Sequence, residues 1–328
     1  SDEVAHNLDA ARINELICQH LRPEGDFQLT PLTTGRHNTS FWVDTAGGRY
    51  VLRIAPPDQT GLLFYERRMM RQEPAVHGLV LARTSIPAPR VVAHDFTRAL
   101  MDRDYLIMTA LPGVPLSQVS CFTTGQYAEA LRQTGRYLRQ LHALTAPACL
   151  GIRAYGYLGD HRPMPPQPGW AEAFHLMWNK LLDDVQACGC YDEHEAGAIR
   201  ELFDRHRRHF ERPVEPSLLH MDVWSENILV DSEGNVTGLV DFDRALWGDV
   251  EIEYAVLDYC GISEAPFWEG YGAERDLSPP ARVRRRFYLL YELQKYMPIR
   301  VWRRRDPAAA ARYKQQALAL LSHLGLRL

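Results

Sequence analysis

Two short segments of the chain hold residues whose types and spacing suit one chemistry. Between Leu218 and Val230 the residues His220, Asp222 and Asn227 read as H-x-D-x-x-x-x-N, and fourteen residues after Asn227 the pair Asp241 and Asp243 reads as D-x-D. Phosphoryl transfer asks little covalent help of a protein: it needs a carboxylate beside the attacking hydroxyl and oxygen ligands that hold Mg2+ against a triphosphate. This spacing supplies both. Asp222 would orient the hydroxyl and accept its proton, Asn227 would offer the metal a neutral amide oxygen, and Asp241 a charged one. All three are hard oxygen donors, whereas a softer metal would ask for His or Cys. His220 taken alone reads as a hydrogen-bonded core residue. Asp243 reads either as support for the metal ligands or as a solvated acid.

Those groups need a scaffold, and the hydrophobic pattern outlines one. Ile13, Leu16, Ile17, His20 and Leu21 recur at helical spacing. Strand-like runs follow over Thr39 to Val43 and Tyr50 to Ile54, joined by the turn residues Asp44 to Gly48. Helical spacing returns from Met69 to Val80, where Pro74 must stand in the first turn or kink the helix. Strands are expected over Arg90 to His94 and Tyr105 to Thr109, after which Leu111 to Pro115 breaks regular structure. Tyr127, Leu131, Thr134, Leu138 and Leu141 then line one stripe of a long helix, with Thr123 or Thr124 as its cap. Two further helical patterns, Trp170 to Val185 and Ile199 to Phe210, follow a Pro-rich loop, and Trp170, Phe174 and Trp178 read as core. Short apolar strands surround the two motifs, with Asp231 to Asn235 as a hairpin turn.

Together these segments resemble the aminoglycoside phosphotransferase and choline kinase group, small-molecule relatives of the protein kinases. His220 to Leu229 is similar to that group's H-G-D-x-x-x-x-N-x-L, with Met221 in place of Gly, and Val240 to Asp243 to its metal segment. Gly135 to His142 resembles its G-x-x-L-x-x-L-H helix, and Leu106 to Gly113 its hinge. Met221 contributes backbone at its position, so the exchange is expected to be mild. The likeness spans most of the chain. It implies an α+β, two-lobed protein-kinase-like fold: a small antiparallel-sheet N-lobe (1–108), a hinge (109–115), and a larger, mainly helical C-lobe (116–328) with an insertion near 151–210. It also implies ATP or GTP with Mg2+ as cofactors. The acceptor would be the hydroxyl of a polar small molecule such as an aminoglycoside, amino sugar or amino alcohol. A protein kinase, or a catalytically weak nucleotide-binding regulator of the same fold, is the alternative, and the role in antibiotic resistance, self-protection or metabolism stays open.

Against that pattern the phosphate-binding residues depart. The family places a lysine on the third strand, but the only lysines here are Lys180, Lys295 and Lys314. Arg53 takes the corresponding position, and a guanidinium can clamp phosphate oxygens bidentately. Its carboxylate partner is expected to be Glu73, with Glu66 as the alternative. The loop Thr33 to Thr39, including Thr34 and Gly35, would cover the triphosphate through backbone N–H groups. Adenine would lie on Thr109, Ala110 and Leu111, with Met108 walling off the deeper pocket. After the metal motif Asp249, Glu251, Glu253 and Asp258, together with Asp243, could bind an acceptor's ammonium groups, or could instead pair with basic helices.

Composition bounds the rest. Hydrophobic residues at 46%, charged residues at 24% and a mean hydropathy of −0.31 exclude disordered and fibrous classes. No run approaches the roughly 18 apolar residues of a membrane span, so no membrane association and a cytoplasmic location are expected. Six scattered cysteines read as free thiols. A net charge of −4 conceals ten acids against two arginines over 241–276, and eleven Lys/Arg against two acids over 282–314. The two stretches are expected to neutralise each other, with no nucleic-acid partner. A monomer or homodimer is expected.

Overall fold

The computed structural model describes residues 8–33, 37–58 and 61–328. Helix α1 (Ala10–Leu21) starts where the Asp9 side chain accepts the Ala11 N–H, and it buries Ile13, Leu16 and Ile17. After it come β1 (Gln28–Leu32), β2 (Thr39–Thr45), β3 (Gly48–Ile54), α2 (Glu73–Arg83), β4 (Val91–Asp95) and β5 (Tyr105–Thr109). The strands form one antiparallel sheet in the order β1-β2-β3-β5-β4. Side chains alternate across a strand, and β3 uses that alternation to separate two jobs. Leu52 and Ile54 pack with α1, Val43, Tyr105 and Ile107. Val51 joins Leu106 and Met108 on the other face, and Arg53 reaches from there to α2.

The helix expected over Met69 to Val80 divides in two. Met69–Gln72 is a 3-10 turn, and α2 begins at Glu73 with Pro74 in its first turn, where a missing N–H leaves no bond unmade. The break at Leu111 to Pro115 is also incomplete. Val114–Pro115 (β6) pairs with β8 (Ile228–Val230), which pairs in turn with β9 (Val236–Leu239).

Beyond β6 the chain is mainly helical: α3 (Thr124–His142), α4 (Ala146–Leu150), α5 (Trp170–Ala187) and α6 (Glu193–His206) precede β7 (Ser217–Leu219). After β9 come β10 (Leu246–Gly248), α7 (Val250–Tyr259), α8 (Ala265–Tyr271), α9 (Pro279–Gln294), α10 (Tyr296–Pro298), a π-helical turn over Ile299–Arg303 and α11 (Pro307–His323). Thr123 caps α3 in a reciprocal capping box with Gln126. Helix α6 starts earlier than its apolar spacing predicts, because Asp192 and Glu195 form a second capping box around a polar first turn. Trp170, Phe174 and Trp178 are fully within the core, against Phe203 and Phe287. Among the described residues no helix is long and apolar enough to cross a membrane.

This framework delivers the two motifs to one place. Strand β7 ends at Leu219, directly before His220, and β9 ends at Leu239, directly before Val240 and Asp241.

Candidate active site

The loop after β7 is held by side chains that do not themselves face a ligand. His220 is fully buried. Its Nδ1 accepts the Asp222 N–H at 3.0 Å, so the ring proton sits on Nε2, which donates to Val240 O at 2.7 Å. One imidazole therefore ties the first motif to the residue before Asp241. Glu253 of α7 accepts the backbone N–H groups of His220 and Met221, each at 2.9 Å, and His142 of α3 donates to it at 2.9 Å. Burial raises the pKa of Glu253, but the hydrogen bond and charge of His142 outweigh it and hold this carboxyl below the usual range. Met221 has φ of 71°, in the left-handed region where a side chain costs about 1 kcal/mol. The exchange of Gly for Met is therefore not as mild as the sequence suggests; packing of the buried Met221 side chain into the core offsets the strain.

Asp222 and Asn227 meet within this loop. Asn227 Nδ2 donates to Asp222 O at 2.8 Å and to Asp222 Oδ2 at 3.1 Å. Its Oδ1 accepts no hydrogen bond among the described residues. Burial raises the Asp222 carboxyl above its ordinary value, Arg244 opposes the rise and Asp241 adds to it. Asp241 is itself at φ of 72°, a second strained backbone position one motif away from the first.

Arg53 links that aspartate to α2. It donates to Glu73 Oε1 from both terminal nitrogens at 2.9 Å and to Asp241 Oδ1 at 2.8 Å. Burial opposes the guanidinium charge, yet Glu73 and Asp241 together push its pKa upward, so the cation stays. Asp241 is held below its ordinary value: burial raises it, and Arg53 and then Arg244 more than compensate. Asp243, 3% exposed, is instead pushed well up by burial and by Asp241 and Glu73. Glu66 lies apart from Arg53 and binds Arg303 at 2.7 Å and His37 at 3.2 Å.

A nucleotide with Mg2+ fits this donor set on two local observations. The buried Nε of Arg53 has no hydrogen-bond partner among the described residues, as a phosphate-facing donor would. The free amide oxygen of Asn227 and the carboxylate of Asp241 are hard ligands of the kind Mg2+ takes one or two at a time from protein, with phosphates and water completing its shell.

Along the hinge, Met108 is 6% exposed and packs with Val51, Met70 and Leu106. Thr109 N–H donates to Arg90 O and Ala110 N–H to Arg49 O, at 2.9 and 3.3 Å, so neither is free to read a base. Leu111 N–H donates to no backbone carbonyl among the described residues. Gly113, at φ of 97°, lets the chain pass against Thr237 and Val230, where a Cβ would collide with both; Thr237 Oγ1 then donates to Pro112 O at 2.6 Å. Thr34 and Gly35 lie outside the described residues.

The acids after the metal motif do not converge on the site. Asp249 caps α7 through the Glu251 N–H and binds Arg212 and Tyr288. Glu251 binds Arg212 and Arg284, Asp258 binds Arg275 and Arg285, and Glu253 supports the catalytic loop as above. Asp249, Glu251 and Asp258 thus pair with arginines, of which Arg284 and Arg285 belong to the basic helix α9, as the alternative reading of the charge pattern anticipates, while Arg212 and Arg275 lie outside it. Arg244 is the residue that motif matching passes over. It follows Asp243 directly, and its buried guanidinium interacts with Asp222, Glu66 and Asp243. Its only signal in the sequence is that adjacency.

The fold and this constellation define a kinase-like phosphotransferase. The chain belongs to the phosphotransferase enzyme family, whose model matches residues 28–288. A protein named as a probable ketoamine kinase from Vibrio parahaemolyticus is 24% identical over 277 residues, covering 82% of this chain and 86% of that one. A homoserine kinase from Neisseria meningitidis is 24% identical over 237 residues, covering 71% and 66%. Among solved structures, a Haemophilus somnus protein assigned as a fructosamine-3-kinase superposes with a TM-score of 0.69 at 18% identity, covering 95% and 96% of the two chains. A thermostable variant of aminoglycoside phosphotransferase APH(4)-Ia, in ternary complex with AMP-PNP and hygromycin B, gives 0.65 at 18%, covering 95% and 98%. The protein is a small-molecule phosphotransferase of α+β, kinase-like fold.

Proposed function

We propose that the protein transfers the γ-phosphoryl group of ATP or GTP to a hydroxyl of a small polar acceptor. The supporting observation is the unbroken chain Glu73–Arg53–Asp241, joined through Val240 and His220 to Asp222 and Asn227. Asp222 orients the acceptor hydroxyl and takes its proton as the oxygen attacks phosphorus, and its raised pKa suits that exchange. Arg53, fixed by Glu73, clamps phosphate oxygens; Asn227 Oδ1 and Asp241 hold Mg2+, which when bound neutralises phosphate charge. Leu111 N–H and the hinge backbone read the base, with Met108 behind it. Arg244, beside Asp222, opposes the rise that burial imposes on its carboxyl.

The relatives are named for ketoamines, fructosamine and homoserine, a hydroxy amino acid, all of which carry both a hydroxyl and an amino nitrogen. For this chain four of the five acids that would favour an amino group, Asp249, Glu251, Glu253 and Asp258, are already engaged, so the reading commits to the hydroxyl and not to the amine. The test is coupled ADP or GDP release across sugar amines, amino alcohols, aminoglycosides and hydroxy acids, with transfer confirmed by mass. Turnover that depends on Mg2+ and is abolished by Asp222→Ala supports the reading. Phosphate incorporation into protein substrates alone would favour a protein kinase.

A further inference from the structure

The arginines of the C-terminal segments fall into two groups. Arg284 and Arg285 are ion-paired with Glu251 and Asp258, whereas Arg300 and Arg312 form no ion pair among the described residues. Both unpaired arginines line a cleft of about 280 Å3 with Tyr259, Tyr313, Asp306 and Gln316. Asp306 is engaged as the cap of α11, accepting the Ala309 N–H at 3.0 Å. One wall of the cleft is aromatic and braced. Tyr259, Tyr296 and Tyr313 stack at centroid separations of 5.7 and 5.1 Å, both at 21° between planes. The Arg300 guanidinium stands 5.8 Å from the Tyr313 ring centre, and its Nε is buried without a partner. Arg300 belongs to the π-helical turn Ile299–Arg303, a geometry that is rare and concentrated at functional sites.

The stack and its turn are anchored to neighbouring charged residues. The Tyr296 hydroxyl bonds Glu292 at 3.3 Å, and Glu292 holds Lys295 at 2.7 Å. The π-helical turn that carries Arg300 also reaches Glu66: Arg303 donates to Glu66 Oε1 at 2.7 Å, and Glu66 Oε2 lies 3.9 Å from Arg244, the residue after Asp243. The turn that lines the cleft is thus tied through Glu66 to the residue that follows Asp243.

We infer that this cleft takes the part of the acceptor remote from the reacting hydroxyl, and that this part is a planar anionic group, in its simplest form an aryl carboxylate. The ring lies against the tyrosine wall and the carboxylate meets Arg300 and Arg312, whose forked donors match it. An ammonium group there would face two unpaired guanidiniums, a repulsion that selects against it. The inference deepens the phosphotransferase reading and rests on it for the word acceptor.

Three probes with one ring and one hydroxyl separate the charges: 4-(hydroxymethyl)benzoate, 4-(hydroxymethyl)benzamide and 4-(hydroxymethyl)benzylamine. Titrated calorimetrically into the full chain with Mg2+ and AMP-PNP, the benzoate is expected to bind about tenfold or more tightly than the amine, with the amide between them. Arg300→Gln and, separately, Arg312→Gln should each erase most of that preference while leaving AMP-PNP affinity unchanged. Arg312 is exposed, so its variant folds even if that of Arg300 does not. Equal or tighter binding of the amine, a preference that survives both variants, or nucleotide binding with no probe bound would each overturn the inference. Benzoate binding in the stated order without any nucleotide binding would leave the cleft standing and remove the phosphotransferase reading instead.

Discussion

Acidic residues crowd two places in this molecule, and they end in opposite situations. At the ends of β7 and β9, Asp222, Asp241 and Asp243, with Glu73 and Glu66, share three arginines, Arg53, Arg244 and Arg303, the last on Glu66. Around α7, Asp249, Glu251 and Asp258 meet Arg212, Arg275, Arg284 and Arg285. The first place is short of cations and the second is not. Burial accordingly pushes Asp222 and Asp243 up, whereas arginine hydrogen bonds hold Asp258 down, although Glu251 remains raised because burial exceeds what its partners return. Density of carboxylates along the chain does not distinguish a site from a brace. What distinguishes them is whether the fold supplies their counter-charges or leaves one to come from outside, as a divalent cation would.

The sharpest way to break this contrast is to remove one acid from each place. Asp222→Ala should lower kcat by about 10²–10⁴-fold, the range of a lost general base, with nucleotide affinity retained in a fluorescence titration. Asp258→Asn should leave kcat within about twofold, since an arginine-paired acid on α7 touches no reacting group. Comparable losses in both would mean that the paired cluster takes part in the chemistry.

Glu253 crosses the boundary: it lies on α7 yet braces the catalytic loop. Glu253→Ala strands the N–H groups of His220 and Met221 in the interior together with the His142 ring, so stability should fall by about 3 kcal/mol or more in urea unfolding. Glu253→Gln keeps one acceptor oxygen and should recover part of that. An activity loss with unchanged unfolding would place Glu253 in the reaction rather than in its support.

Met221 shows where the sequence was legible and where it was not. The spacing of Asp222, Asn227 and Asp241, the arginine on β3, the caps at Thr123 and the core stripe of α5 are local properties, so they could be read from type and interval. The φ of Met221 and the particular arginine partners of α7 depend on contacts between distant segments, and so does the pairing of Arg53 with Glu73, which the sequence favours over Glu66 and the structure bears out. Arg53 and Glu73 are twenty residues apart, and Arg53 and Asp241 188. No interval encodes those distances. Met221→Gly tests the backbone term: it relieves about 1 kcal/mol of strain but gives up about 2 kcal/mol of burial. A net loss near 1 kcal/mol in thermal unfolding is expected, and a gain would mean that the side chain contributes little to the core.

The smallest effect sharpens the contrast most directly, because it has opposite signs at two half-buried aspartates. Asp184 on α5 accepts the Phe64 N–H at 2.9 Å and has no arginine bond among the described residues, and burial pushes it up to about 6. Asp258 is raised by burial too, but hydrogen bonds from Arg275, Ser263 and Arg285 bring it below its ordinary value of 3.8. For Asp184 the folded value lies above the unfolded one, so its contribution is present in acid and is lost as pH climbs toward about 6. For Asp258 the contribution is present at neutral pH and is lost as pH falls through its lowered value. Asp184→Asn should therefore raise Tm at pH 7, with the gain vanishing in acid below the ordinary aspartate value. Asp258→Asn should lower Tm at pH 7, by about 1 kcal/mol of stability since its arginines remain partly exposed to solvent, with its deficit also closing in acid. Melting curves of both variants across that range check the sign. Shifts in the same direction at pH 7 would mean that supply of counter-charge is not what separates these two kinds of acid.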